Sequence, residues 1–166
     1  MMLILMRHAE ATSEIGIDDH TRNLSETGQK AALDLGRWFA TQNFSPTLAL
    51  VSDSNRTRQS FLGLKLLCPV KYLPSLYLAT AKKLDSEIQR ANPECLLLIA
   101  HNPGIAELAY TLAGKDLTHP RFYAYPPGST LVISAGKDAR ETFVHDFITP
   151  EDLICLLYTS PSPRDS

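Results

Sequence analysis

No long hydrophobic run, no block of like charge and no paired-cysteine motif occurs in this sequence. Its apolar N-terminus covers only residues 1–6, has no cationic segment before it and is interrupted by Arg7, so it is read as neither signal peptide nor membrane anchor. A formal net charge of −2 without any basic stripe argues against a nucleic-acid groove. The three cysteines, Cys68, Cys95 and Cys155, are an odd set without C-x-x-C spacing, which fits a reducing compartment and gives no zinc signature. Cys68 and Cys95 are expected to be small core residues. Internal repeats are also missing. What remains, 44% apolar and 20% charged residues, is the composition of one soluble globular domain. A cytoplasmic monomer with no membrane or nucleic-acid partner is expected.

The chain is organised around Leu3-Ile4-Leu5-Met6-Arg7-His8. An apolar run that ends in a cation and an imidazole reads as a buried strand delivering its last side chains to a pocket at its C-terminal end. A polar connection follows over residues 11–23, carrying Asp18, Asp19, His20 and Arg22. Ser25 is a good N-cap for a helix with Ala31, Leu35, Trp38 and Phe39 at helical spacing.

The same grammar recurs twice. Leu48-Ala49-Leu50-Val51 ends in a hydroxyl-rich cluster that contains Arg56 and caps a helix expected to run through Leu66 and Leu67 to Pro69. Val70 to Leu73 reads as a short strand, and a helix ending at Ala91 presents Leu84 and Ile88 to the core. Cys95-Leu96-Leu97-Leu98-Ile99-Ala100 is a continuous apolar strand of the kind buried on both faces of a parallel sheet, and it delivers His101-Asn102-Pro103-Gly104. A helix then runs to Gly114. The aromatic, proline-rich residues 115–129 could rim a pocket or cover the sheet. Residues 130–133 and 142–147 close the chain as an antiparallel hairpin, with Gly136-Lys137-Asp138 in its turn.

Three strand ends thus deliver Arg7 with His8, Arg56, and His101. Two guanidinium forks neutralise charge on phosphoryl oxygens, and an imidazole can act as nucleophile or proton carrier near neutral pH. No metal or other cofactor is required for this. Two histidines could instead hold a metal, but the neighbouring arginines repel a cation and no carboxylate stands at ligand spacing.

Taken together, Arg7-His8-Ala9, Arg22-Asn23-Leu24-Ser25-x-x-Gly28, Val51-Ser52 followed by Arg56, and His101-Asn102-Pro103-Gly104 resemble the histidine phosphatase superfamily, the phosphoglycerate mutase-like proteins. The short length and Leu76-Tyr77-Leu78-Ala79 make the chain most similar to the SixA-type phosphohistidine phosphatase branch. The resemblance covers roughly residues 2–153. It implies a three-layer α/β/α sandwich with a mostly parallel sheet, and a covalent phosphohistidine formed on His8. Arg7 and Arg56 would clamp the phosphate, His101 would donate to the transferring group, and Arg22 would bind substrate from the loop. The substrate would be a phosphorylated protein or a small phosphorylated metabolite. A small-molecule phosphomonoesterase and a catalytically silent phosphate-binding module are the alternatives. Larger members carry an acidic proton donor on an inserted segment that this chain lacks, and Ser75 stands where some relatives place a Glu. The general acid is therefore unassigned. Glu10, Glu14 and Asp19 are near His8 in sequence, and Glu10 and Glu14 would be tested first.

Residues 155–166, Cys155-Leu156-Leu157-Tyr158-Thr159-Ser160-Pro161-Ser162-Pro163-Arg164-Asp165-Ser166, do not read as the end of a domain. Most of them resemble the translation of a common transposon-type sequencing adapter. The expectation is a single functional domain over residues 1–154, a natural product that ends near Ile154 or continues differently, and a tail without function.

Overall fold

A computed structural model describes residues 1–136 and 141–158. Six strands form one sheet in the order β3-β2-β4-β1-β5-β6. They are β1 Met2–Arg7, β2 Leu48–Ser52, β3 Val70–Leu73, β4 Cys95–Ala100, β5 Thr130–Ser134 and β6 Phe143–Ile148. β1 to β4 are mutually parallel, and β5 runs antiparallel to both β1 and β6. The expected three-layer, mostly parallel α/β/α sandwich is therefore what forms.

Alternation along the strands divides the core in two. Leu3, Leu5, Leu96 and Leu98 pack on one face with Leu84 and Ile88 of α3 (Ala81–Ala91) and Ile105 and Leu108 of α4 (Gly104–Ala113). Ile4, Met6, Leu97 and Ile99 pack on the other with Leu35, Trp38 and Phe39 of α1 (Glu26–Gln42) and Phe61 and Leu64 of α2 (Asn55–Leu64). β4 is covered on both sides, and all six of its residues are buried.

Ser25 caps α1 as expected, its hydroxyl accepting the Gly28 N–H at 3.0 Å. The buried alanine of α1 is Ala32 rather than Ala31. α2 is shorter than its sequence suggests. Lys65 takes a left-handed conformation after Leu64, which leaves Leu66 and Leu67 in the turn that brings the chain back to β3. The connection over residues 115–129 is both of the things it could be. Phe122 and Tyr125 are buried against the sheet, and Pro127 reaches the pocket described below. Cys95 is buried and Cys68 half-buried, both as free thiols.

The hairpin turn at Lys137 and Asp138 lies outside the described residues. A fifth helix, α5 (Pro150–Tyr158), was not expected, and it extends four residues beyond Ile154. It packs on α1. Among the described residues, no helix is long and apolar enough to cross a membrane.

Candidate active site

Register places the site. In the parallel β1–β4 pair Arg7 stands opposite Ala100, so His8 and His101 are the first residues beyond the paired ends of neighbouring strands. The His8 N–H donates to the Ala100 carbonyl at 3.2 Å. β2, on the other side of β4, ends in Ser52, and the turn after it opens α2 with Ser54 as N-cap and Arg56 in the first turn. One buried hydroxyl ties these elements together. Ser60 Oγ accepts the Ala9 N–H at 2.9 Å and donates to the Arg56 carbonyl at 2.7 Å.

All five predicted residues, Arg7, His8, Arg22, Arg56 and His101, line one cavity of about 330 Å³, joined by Glu10, Asp19, Asn102 and Pro127. This lies at the carboxyl ends of β1, β2 and β4, where ligands bind in open α/β sheets. A wider groove of about 890 Å³ between α1 and α2 is lined by Glu14, Ile17, Lys30 and Leu62 but by no arginine or histidine. Glu14, one of the proton donors the sequence leaves open, lines that groove and not the pocket. Glu10 does line the pocket, where its carboxylate accepts from Ser25 Oγ at 3.0 Å.

The hydrogen bonds assign the imidazole tautomers. His8 Nδ1 lies 2.7 Å from the Ala9 carbonyl, which can only accept, so Nδ1 carries the proton and Nε2 keeps its lone pair. His101 Nδ1 accepts from Arg56 Nη2 at 3.3 Å, which leaves the proton on Nε2 to donate to Ser52 Oγ at 2.8 Å. Both rings are buried. Burial holds His8 down to about 4, with the positive charges of Arg56, Arg7 and Arg22 acting in the same direction and the Ala9 bond opposing them. Burial, then His8 and Arg56, hold His101 down to about 3.

The guanidinium groups are fixed from behind. Arg7 Nη1 donates to the Tyr125 carbonyl at 3.1 Å, and burial followed by the charge of Arg56 lowers its pKa. Arg56 Nη1 donates to the Asp19 carbonyl at 2.7 Å and Nη2 to its carboxylate at 3.1 Å. The Nε atoms of Arg7 and Arg56 are buried without a hydrogen-bond partner among the described residues. Two guanidinium groups and an unprotonated imidazole nitrogen lining one cavity suit a tetrahedral oxyanion, whose several oxygens can accept several donors together.

Asp19 and Tyr77 are more central than their sequence context indicates. Arg22 Nε donates to Asp19 Oδ1 at 3.1 Å, and the Tyr77 hydroxyl makes a short hydrogen bond to Oδ2. The Tyr77 hydroxyl above all, with Arg56 and Arg22 adding to it, holds the Asp19 carboxyl down to about 2 against burial, which is the second-largest effect and raises it. The Tyr77 ring stands edge-on to His101 at 5.3 Å. Ser52 and Tyr77 stand in the stretches that carry the resemblance but without an assigned role, and Ser60 in none of them, because nothing local separates a buried hydroxyl from an ordinary one.

This six-stranded sheet with its cationic, histidine-bearing strand ends is the fold of the histidine phosphatases. The structure aligns with SixA from Nakamurella multipartitia at a TM-score of 0.77 and 23% identity, over 90% of this chain and 95% of that one. It aligns equally well with the protein histidine phosphatase SixA complexed with tungstate, at 0.77 and 18% identity over 92% and 99% of the two chains. No protein-family model matches. In sequence, the chain is 33% identical over 110 residues to the uncharacterized protein Rv1276c of Mycobacterium tuberculosis, covering 65% of this chain and 70% of that one. It is 29% identical over 131 residues to the uncharacterized chloroplastic protein At3g52155 of Arabidopsis thaliana. The chain spans 60% of the length of that plant protein, and 69% of its own length is matched. It belongs to the same family as the mycobacterial protein.

Proposed function

We propose that the protein is a phosphohistidine phosphatase that transfers the phosphoryl group to His8 Nε2 and then to water. The observation that carries this reading is the locked tautomer of His8. Its Nδ1–H is held by the Ala9 carbonyl, and its low pKa keeps Nε2 unprotonated at neutral pH beside two guanidinium groups. In this reading Arg7 and Arg56 bind the equatorial phosphoryl oxygens, where charge develops in the transition state. Arg22 binds substrate from the loop. His101 would donate a hydrogen bond to the transferring group in this reading, which requires a bound dianion to offset burial first and the charges of His8 and Arg56 second.

The P–N bond is favoured as the substrate linkage because neither pocket carboxyl is set up to protonate an ester's leaving oxygen, Glu10 being engaged by the Ser25 hydroxyl. Asp19, the carboxylate bonded to Arg56, is held ionised. The fold likeness to SixA complexed with tungstate, a tetrahedral oxyanion, supports the same chemistry.

Incubation with a labelled phosphohistidine peptide and rapid acid-free quenching should trap label on the chain at His8, in the presence of a chelator as in its absence. His8→Ala should carry no label and show no turnover. A labelled or active His8→Ala variant, or label dependent on added zinc or magnesium, would replace this mechanism with a water- or metal-based one.

A further inference from the structure

The pocket contains an anion of its own. The Asp19 carboxylate accepts from Arg56 Nη2, Arg22 Nε and the Tyr77 hydroxyl, while the Asp19 carbonyl accepts from Arg56 Nη1. Two arginines of the pocket are thereby occupied by one residue of its own wall. We propose that Asp19 is a resident competitor for the phosphoryl subsite, which yields its place on the arginines when a phosphoryl group enters and returns to expel inorganic phosphate after hydrolysis. This rests on reading the pocket as a phosphoryl site.

Three features favour exchange over a fixed structural ion pair. The Asp19 side chain is 47% exposed whereas that of Arg56 is 2% exposed, so the carboxylate can rotate into water while the guanidinium cannot follow. Losing a buried partner is costly to Arg56 unless another anion takes over, which makes release of Asp19 conditional on ligand. The turn carrying Asp19 is also anchored without its carboxylate. Asn55 Nδ2 donates to the Thr21 carbonyl at 2.9 Å, and His20 Nε2 bonds Asp53 Oδ1 at 2.9 Å. The side chain can therefore leave and come back while its backbone stays. Chemically, a site with three arginines would hold phosphate tightly, and a hydrolase must let it go. A tethered carboxylate, present at high effective concentration, weakens product binding at every turnover.

The test is inorganic phosphate binding by calorimetry, paired with phosphate inhibition of aryl phosphate hydrolysis. Asp19→Asn keeps the shape and removes the charge. It should bind phosphate at least about fivefold more tightly, the factor one unit charge about 4 Å away exerts even through water. Its KM should fall with the same sign, and product inhibition should appear earlier in progress curves. Tyr77→Phe keeps the charge but loses the hydroxyl that holds it, and should tighten phosphate by a smaller factor. The expected order of affinity is Asp19→Asn above Tyr77→Phe above wild type. Any other order overturns the proposal. A wild-type protein that binds neither phosphate nor tungstate in competition with substrate would instead overturn the reading of the pocket on which it rests.

Discussion

The rings of His8 and His101 lie 5.4 Å apart, centroid to centroid, tilted by 55°, with both kept neutral by burial and by each other's neighbours. Their folded values, about 4 and about 3, lie below the ordinary 6.5. As pH falls below 6.5, the unfolded chain takes up protons that the folded chain refuses, so stability falls with pH through that window and levels off near the folded values. Asp19, held at about 2, adds a loss only below its ordinary 3.8. The thermal midpoint should therefore decline steadily between pH 6.5 and 4, and His101→Gln should flatten the decline. A wild-type midpoint that stays level across this window would show that the two imidazoles are not held neutral.

Arg56 is the side chain on which most of the site converges, bonding Asp19 twice and His101 once from a buried position. Arg56→Ala should lower kcat/KM by roughly 10² to 10³, the usual cost of one preorganised donor at a developing charge. Arg56→Lys should recover little, because an ammonium cannot reproduce the fork. Arg22, whose side chain is more exposed, shares its partner with solvent, and Arg22→Ala should cost less than Arg56→Ala. Equal losses in the two alanine variants would place Arg22 on the reacting group.

Gly28, the last residue of the Arg22-Asn23-Leu24-Ser25-x-x-Gly28 stretch, has a structural reason to be glycine. A Cβ there would lie 2.1 Å from the Glu10 carbonyl oxygen, two residues beyond His8. Gly28→Ala should push α1 away from the loop that follows β1 and cost about 1–3 kcal/mol, the range for forced overpacking. Chemical denaturation measures this directly, and an unchanged midpoint would mean that the helix start yields without strain.

Much of this arrangement was legible because each apolar strand stops where a functional side chain begins. Met6 to Arg7 and Ala100 to His101 are such boundaries, and burial on both faces of β4 makes its ends sharp. What was not legible depends on long-range contact. Nothing in the local sequence distinguishes Asp19 from Asp18 or Glu14, and only the approach of Arg56 and Tyr77 does so in the fold. The end of α2 is hidden in the sequence because leucines at 66 and 67 look like a continuing apolar face, while Leu67 is fully exposed beyond the helix end. The start of α5 is written in the sequence. Thr149, Pro150, Glu151 and Asp152 are a cap, a first-turn proline and two first-turn acids, and Asp152 N–H does donate to Thr149 Oγ1 at 3.4 Å.

The leaving group separates the two substrate classes that the proposed reading allows. An alcohol departs from a phosphate ester poorly unless an acid protonates it, and such help is typically worth roughly 10² to 10⁴ in rate. In this pocket Asp19 is ionised under Tyr77 and the two arginines, Glu10 accepts from Ser25 at the rim, and Glu14 faces a different groove. An imidazole leaving from phosphohistidine can take its proton from water, so the P–N bond breaks without a dedicated donor. The kcat/KM for a phosphohistidine peptide should therefore exceed that for alkyl phosphates by at least about tenfold, with aryl phosphates between them because phenolates leave more readily. Asp19→Asn should leave this ranking intact, since a carboxylate that donates no proton is not missed in the chemical step. Equal rates on alkyl phosphate and phosphohistidine, with the alkyl rate lost in Asp19→Asn, would identify Asp19 as the acid once a substrate has drawn it off the arginines, and would turn the assignment toward a phosphomonoesterase.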